Sequence, residues 1–213
     1  MSGSPVVRKQ SQVSRFPQER LGDAELVEAV TRGDSGAAGV VWDRYSALVR
    51  GVLRSNLGPD PAVEDLLQEV FIVFIRGAAE LRKAGALRPY LVSVAVRLVL
   101  VELRRRKIRR WVTLSPSGEV PPIPVAPRDI SGTMALGALY RLLEGLPERR
   151  RVAFVLRHVQ GFDVAEVALA LGVSESTAKR EAARARGSIV RRAERREPAL
   201  WEYIRALERA QDE

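Results

Sequence analysis

"DVAEVALALGVSESTAKREAARARGSIV" occupies residues 163–190 and reads as a short helix, a turn at Gly172, an N-cap at Ser174 and a second helix. In the second helix Ala178, Ala182, Ala185 and Ile189 share one stripe, suited to packing on the helices before it. The opposite face presents Ser176, Lys179, Arg180, Ala183 and Arg184, with Thr177 beside them in the chain. Small residues inside and basic residues outside are what a helix entering the major groove requires, because Lys and Arg meet phosphates or the O6 and N7 of guanine. The plainer alternative is a solvated basic helix on a bundle surface. The coincidence of turn, cap and segregated faces favours a DNA-binding helix-turn-helix.

Working outward, "MALGALYRLLEGL" (134–146) reads as a helix, Pro147 starts another in "PERRRVAFVLRHVQ", and Gly161-Phe162 turns the chain. Before them "LSPSGEVPPIPVAPRDISG" carries Pro116, Pro121, Pro122, Pro124 and Pro127, so it reads as an extended linker. Upstream, "GDAELVEAV" offers Asp23 as an N-cap, and "GVVWDRYSALVRGVL" forms a second amphipathic helix ending near Gly58-Pro59. A third, "PAVEDLLQEVFIVFI", puts Val63, Leu66, Leu67, Val70, Phe71 and Phe74 on one face and Asp65, Gln68 and Glu69 on another. A fourth spans 87–110, with an apolar first half and a basic second half. The pattern predicts an all-α chain: a disordered tail over 1–20, a helical domain over 21–111, a linker over 112–132, a helix-turn-helix domain over 133–193 and a helical extension over 194–213. No strand of period-two alternation and no internal repeat is visible.

The 213 residues, 46% hydrophobic and 29% charged, suffice for two small domains, each with its own core. A formal charge of +9 points to a polyanionic partner, nucleic acid or an anionic surface. The apolar run over 91–101 is broken by Ser93 and Arg97 and falls well short of the ~20 residues that span a bilayer. Membrane insertion is therefore not expected. The N-terminal stretch lacks the apolar segment of a secretory signal, and the absence of cysteine is compatible with a reducing cytoplasm, so a cytoplasmic protein is expected. With no cysteine and one histidine, His158, thiolate and multi-histidine metal sites are excluded. His158 reads as structural or surface-placed. No Gly-rich phosphate loop, nucleophile elbow or carboxylate pair in a recognisable frame is present, so no catalytic residue, cofactor or enzyme activity is expected.

In order, "VEDLLQEVF", "LRPYLVSVAVRLVLVELRRRKIRR", the Pro-rich linker and "LEGLPERRRVAFVLRHVQGFDVAEVALALGVSESTAKREAARAR" resemble a bacterial sigma factor of the extracytoplasmic-function type, over about residues 23–190. The resemblance implies two helical domains that bind core RNA polymerase, through the clamp helices of the largest subunit and through the second-largest subunit. It implies recognition of promoter DNA at −10 and −35 elements, melting at −10 and no bond chemistry. Asp65, Gln68, Glu69 and Ile72 match the family's polymerase-docking face. Arg97, Arg104, Arg105, Arg106, Lys107, Arg109 and Arg110 lie on the helix that matches the −10 reader, where they would neutralise phosphates of an unstacked strand. Ser176, Thr177, Lys179, Arg180, Ala183 and Arg184 match the −35 reader. An anti-sigma factor is a further partner the family implies. The linker would thread the polymerase toward the RNA exit path, where an extended chain suits a narrow channel.

Departures from the family pattern stand beside the matches. Where many relatives read "ARNLALD" this chain has "AVRLVLV", placing Arg97 and Val101 at the usual Asn and Asp. Glu181 stands where a base is usual, to accept from a cytosine amine or to form a surface ion pair. Tyr90 replaces a common tryptophan and reads as core. The terminal stretch places Leu200, Trp201, Ile204 and Leu207 on one helical stripe. Two other readings remain open on residues alone: an autonomous helix-turn-helix regulator, and a non-initiating adaptor that binds polymerase or a regulator.

Overall fold

The computed structural model describes residues 21–81, 87–113, 130–197 and 201, with side chains apart from those of 110–113 and 130–135. Among the described residues all regular structure is helical: α1 (Asp23–Thr31), α2 (Ser35–Leu57), α3 (Ala62–Leu81), α4 (Leu87–Thr113), α5 (Ile130–Glu144), α6 (Glu148–Phe154) running into a π-helical turn (Val155–Val159), α7 (Val164–Leu171) and α8 (Glu175–Arg196). None of these helices is long and apolar enough to cross a membrane. The expected N-terminal tail and most of the linker and C-terminal stripe lie outside the described residues. Two of the expected bounds shift: α4 runs on to Thr113, and α5 starts at Ile130, inside the stretch read as linker.

Local chemistry accounts for the helix ends. Asp34 caps α2 by accepting from the backbone N–H groups of Gly36 (2.8 Å) and Ala37 (3.2 Å). Gly58, at φ 81°, closes the same helix in a conformation that costs other residues a steric penalty. At α1 the cap is Gly22 rather than the expected Asp23. The Glu25 carboxylate accepts from Gly22 N–H (2.8 Å), while Asp23 turns outward to accept from the Tyr45 hydroxyl (2.6 Å) and Arg44 (3.0 Å). Burial and that bond to Asp23 push the Tyr45 hydroxyl up to about 12.

One apolar cluster includes residues of both halves of the chain. Leu26, Val41, Leu53, Leu67, Phe74 and Leu91 pack in one cluster that runs on through Val152, Leu156, Phe162, Val167 and Ala178 of the second half. A smaller cluster joins Tyr140, Leu143, Val155, Ala185 and Ile189, with Trp201 against it. Tyr90 is partly buried against the larger cluster, edge-on to Phe74 at 6.5 Å, which fits its reading as core. The seam between the halves is polar as well as apolar. The last turn of α2 offers carbonyl oxygens and the Ser55 hydroxyl as acceptors to the second half. The second half supplies donors: Tyr140 Oη to Arg54 O (2.9 Å), the guanidinium of buried Arg151 to Asn56 O, and Gln160 Nε2 to Ser55 Oγ (2.7 Å). Arg88 completes the seam by pairing with Glu166 while lying 4.9 Å from the centre of the Phe162 ring.

Candidate nucleic-acid interface

The helix-turn-helix is assembled as its residues require. Asp163 and Glu166 form a reciprocal capping box on α7, with Glu166 N–H donating to Asp163 (2.8 Å) and Asp163 N–H donating to Glu166 (3.0 Å). Gly172 adopts the left-handed conformation, φ 63°, that turns the chain. Ser174 Oγ then accepts from Thr177 N–H at 3.3 Å and starts α8. Ala178, Ala182, Ala185 and Ile189 are buried. Ser176, Lys179, Arg180, Ala183 and Arg184 are exposed and Thr177 half-buried, so the face expected to meet a groove is the outward one. Glu181 is occupied by Arg150 Nε (2.9 Å) and lies 3.6 Å from Arg184, which makes it an ion-pair partner in this structure.

On α4 the basic run is treated differently. Arg97, Arg104 and Arg105 are exposed, as expected of groups that meet phosphates. Arg106 departs from that expectation. It pairs with Glu102 (3.0 Å) and Asp60 (2.9 Å) and donates to Leu57 O (2.9 Å), because the nearly buried Glu102 carboxylate needs a cation beside it. Arg109 reaches the same Glu102 oxygen at 2.8 Å, and Lys107 crosses the seam to Glu148 at 3.3 Å. The Glu148 carboxyl is held below its usual range by its own backbone N–H at the start of α6, then by Lys107 and Arg104, with burial opposing. The Arg110 side chain lies outside the described residues. Two aliphatic side chains share this exposed face: Val101, which stands at the family's usual Asp, is 59% accessible, and Ile108, which the sequence did not single out, is 64% accessible.

The third surface lies on α3. Asp65, Gln68 and Glu69 are exposed next to Ile72, and Ile75 extends the aliphatic edge by one turn. The spacing of Ile72 and Ile75, three residues apart on the face away from Val70 and Phe74, is the signal that could have found the second of them. His158 lies at the surface against the Phe154 ring, 5.1 Å between centroids.

The halves of the chain match two family models in this order: "Sigma-70 region 2" over residues 41–109 and "Sigma-70, region 4" over residues 136–189. The first contains α3 and the basic face of α4, and the second contains the helix-turn-helix. The chain is 32% identical over 169 residues to the ECF RNA polymerase sigma factor SigM of Mycobacterium tuberculosis, covering 79% of this chain and 83% of that one. It is 30% identical over 188 residues to the ECF RNA polymerase sigma-E factor of Escherichia coli, covering 80% and 94%. Similar solved folds include CnrH in complex with the cytosolic domain of CnrY (TM-score 0.58, 20% identity, 78% of this chain and 94% of that one). Another is the Bartonella quintana sigma factor RpoE in complex with the anti-sigma factor NepR (TM-score 0.57, 19% identity, 73% and 96%). Paired regions in the family's order, and identity extending over most of two full-length relatives, place this chain in the family of ECF RNA polymerase sigma factors.

Proposed function

We propose that this sigma factor binds core RNA polymerase through α3, reads a −35 element with α8, and engages a melted −10 strand with α4. The observation that carries the reading is the display, on one molecule, of an acidic and aliphatic α3 face together with two basic faces on α4 and α8. Asp65, Gln68 and Glu69 supply polar specificity beside Ile72 and Ile75, a combination suited to docking on partner helices. Arg97, Arg104 and Arg105 act as phosphate contacts on the single strand. Arg106 serves as scaffold, and Arg109 and Lys107 join the contacts when Glu102 and Glu148 release them. Ser176, Thr177, Lys179, Arg180, Ala183 and Arg184 form the duplex-reading face. The role is one of binding in the cytoplasm, at the nucleoid, and it makes and breaks no bond.

The two reading elements have to separate in use. Elements at −35 and −10 lie roughly 25 base pairs apart, about 85 Å at 3.4 Å per pair. Here α4 and the first turns of α8 contribute to a single apolar cluster. We therefore assign this arrangement to the unengaged molecule, whose seam opens on polymerase. That other members of the fold class were solved with an anti-sigma factor or a cytosolic partner domain supports an anti-sigma factor as a partner here.

The test is transcription of a genomic fragment library by purified core polymerase with and without the protein, reading RNA 5′ ends. Protein-dependent starts sharing spaced −35 and −10 elements are expected, and Asp65→Ala/Gln68→Ala/Glu69→Ala should abolish them together with core binding. No new starts despite tight core binding would make the chain a non-initiating adaptor. Salt-sensitive duplex binding without core binding would make it an autonomous regulator.

A further inference from the structure

Away from all three surfaces, a cleft of about 630 Å³ opens between the end of α5 and the last two turns of α8. Arg141, Arg191, Arg192, Arg195 and Arg196 line it, with Glu197 as the one acid among its lining residues. We infer that this cleft binds a small polyphosphate anion, by guanidinium pairing with adjacent phosphate groups.

Charge balance is the first argument. Arginines gather at helix C-termini for a mundane reason, since each such end carries about half a negative charge. Two helix ends and Glu197 together offset about two of the five guanidiniums, and Glu144 at the end of α5 offsets up to about one more, leaving an excess of about two to three. That excess is confined to one concave space, where like charges raise the free energy of the empty cleft. A ligand of matching negative charge removes the repulsion.

Geometry is the second. Glu197 already shows how the cleft takes an oxyanion: its two oxygens accept from Arg141 Nε (2.8 Å) and NH2 (3.0 Å), the planar two-point pairing that also fits a phosphate. That pairing holds the Glu197 carboxyl below its usual range. Arg192 lies across the end of α5 toward Leu142 O (3.4 Å), in space that a Cβ at Gly145 would occupy. The volume suits a small molecule, within the range of about 300–1,000 Å³ typical of such sites.

Position along α8, not its azimuth, separates this cleft from the DNA face: at about 100° per residue Arg184, Ser188, Arg191 and Arg195 follow one stripe, and Arg191 lies about 10 Å further along the axis than Arg184. Arg195 also lies about 16 Å further along the axis than Arg184. A helix that enters a groove by its N-terminal half carries this cleft away from the same duplex. The inference thus stands whether or not α8 reads a −35 element.

Titration calorimetry of the full chain at about 0.15 M salt, with inorganic tripolyphosphate, orthophosphate and ATP, tests it. Saturable binding of one tripolyphosphate per chain is expected, at least tenfold tighter than orthophosphate. ATP that matches tripolyphosphate identifies the phosphates as the whole recognition element, and ATP that binds tighter shows the cleft taking the nucleoside as well. Arg191→Ala/Arg195→Ala should weaken tripolyphosphate at least tenfold. These two are chosen because Arg141 and Arg192 also hold helix ends in place, and unchanged thermal unfolding verifies that the fold is intact. Arg180→Ala/Arg184→Ala should leave tripolyphosphate binding unchanged. The inference fails if the first pair has no effect, if the second pair weakens binding equally, or if several anions bind per chain. It also fails if the cleft variants lose binding only to duplex DNA or to an acidic peptide.

Discussion

Two basic stretches, residues 104–110 on α4 and 179–186 on α8, meet opposite fates. On α4, Glu102 draws in Arg106 and Arg109, Asp60 takes Arg106 again, and Glu148 reaches over from the second half to Lys107. On α8, Lys179, Arg180 and Arg184 stand exposed over a floor of buried alanines, and Glu181 spends its shorter contact on Arg150. A contiguous run of cations sprays charge round the whole helix, so some of it must turn inward and find acids. Cations at helical spacing can all face water. The closed arrangement thus ties part of the α4 surface into the seam and leaves the α8 surface open.

The largest test of that contrast is to prevent the seam from parting. The chain has no cysteine, so Arg88→Cys/Glu166→Cys places the only two thiols across the α4–α7 contact. Bridging them with a reducible bis-maleimide should eliminate protein-dependent transcripts and leave duplex binding by α8 intact. Reductant should restore transcription. Full transcription by the bridged protein would refute the assignment of this arrangement to the unengaged state.

Next in size is the contrast inside the two stretches. Arg106→Ala removes the shared partner of Glu102 and Asp60 and a donor to Leu57 O, and should cost about 2–3 kcal/mol in denaturant unfolding. Arg180→Ala, whose guanidinium donates to Thr177 Oγ1 at 3.3 Å, should change stability by less than about 0.5 kcal/mol. It should instead lower the salt dependence of duplex binding by about one unit of slope. Equal stability losses in the two variants would erase the distinction between scaffold and displayed cations.

What was readable in the sequence followed from local periodicity. The buried face of α3 is the expected one, with Val63, Leu67, Val70, Phe71 and Phe74 inside, and Asp65, Gln68 and Glu69 outside. The Gly172 turn, the Ser174 cap and the alanine stripe of α8 depend only on neighbours within a few residues, and they stand as read. What was not readable depends on distant partners. Asp23 looks like a cap until Tyr45 and Arg44 claim its carboxylate from another helix. Arg106 looks like one more phosphate contact until Leu57, Asp60 and Glu102 converge on it. The common core of the two halves and the arginine cleft, built from Arg141 and the far end of α8, join segments that no local pattern relates.

The smallest effect follows from the cost of displaying charge on α8. His158, at the surface but packed against the Phe154 ring, has its pKa lowered chiefly by partial loss of hydration, then by the positive charges of Arg186 on α8 and Arg157 beside it. A histidine depressed in the folded state binds fewer protons there than in the unfolded chain. Its contribution to stability is complete above the unfolded value near 6.5 and is lost as pH falls through the lower, folded value. The melting temperature should therefore drop slightly between pH 7.5 and pH 5.5, and His158→Gln should flatten that part of the profile. Arg186→Gln should raise the His158 pKa, followed by NMR of its ring protons, without removing the whole depression, because the loss of hydration ranks above either arginine. A His158 pKa that ignores Arg186 would mean that the α8 charges are screened by solvent, and that their display is nearly free of electrostatic cost to the fold.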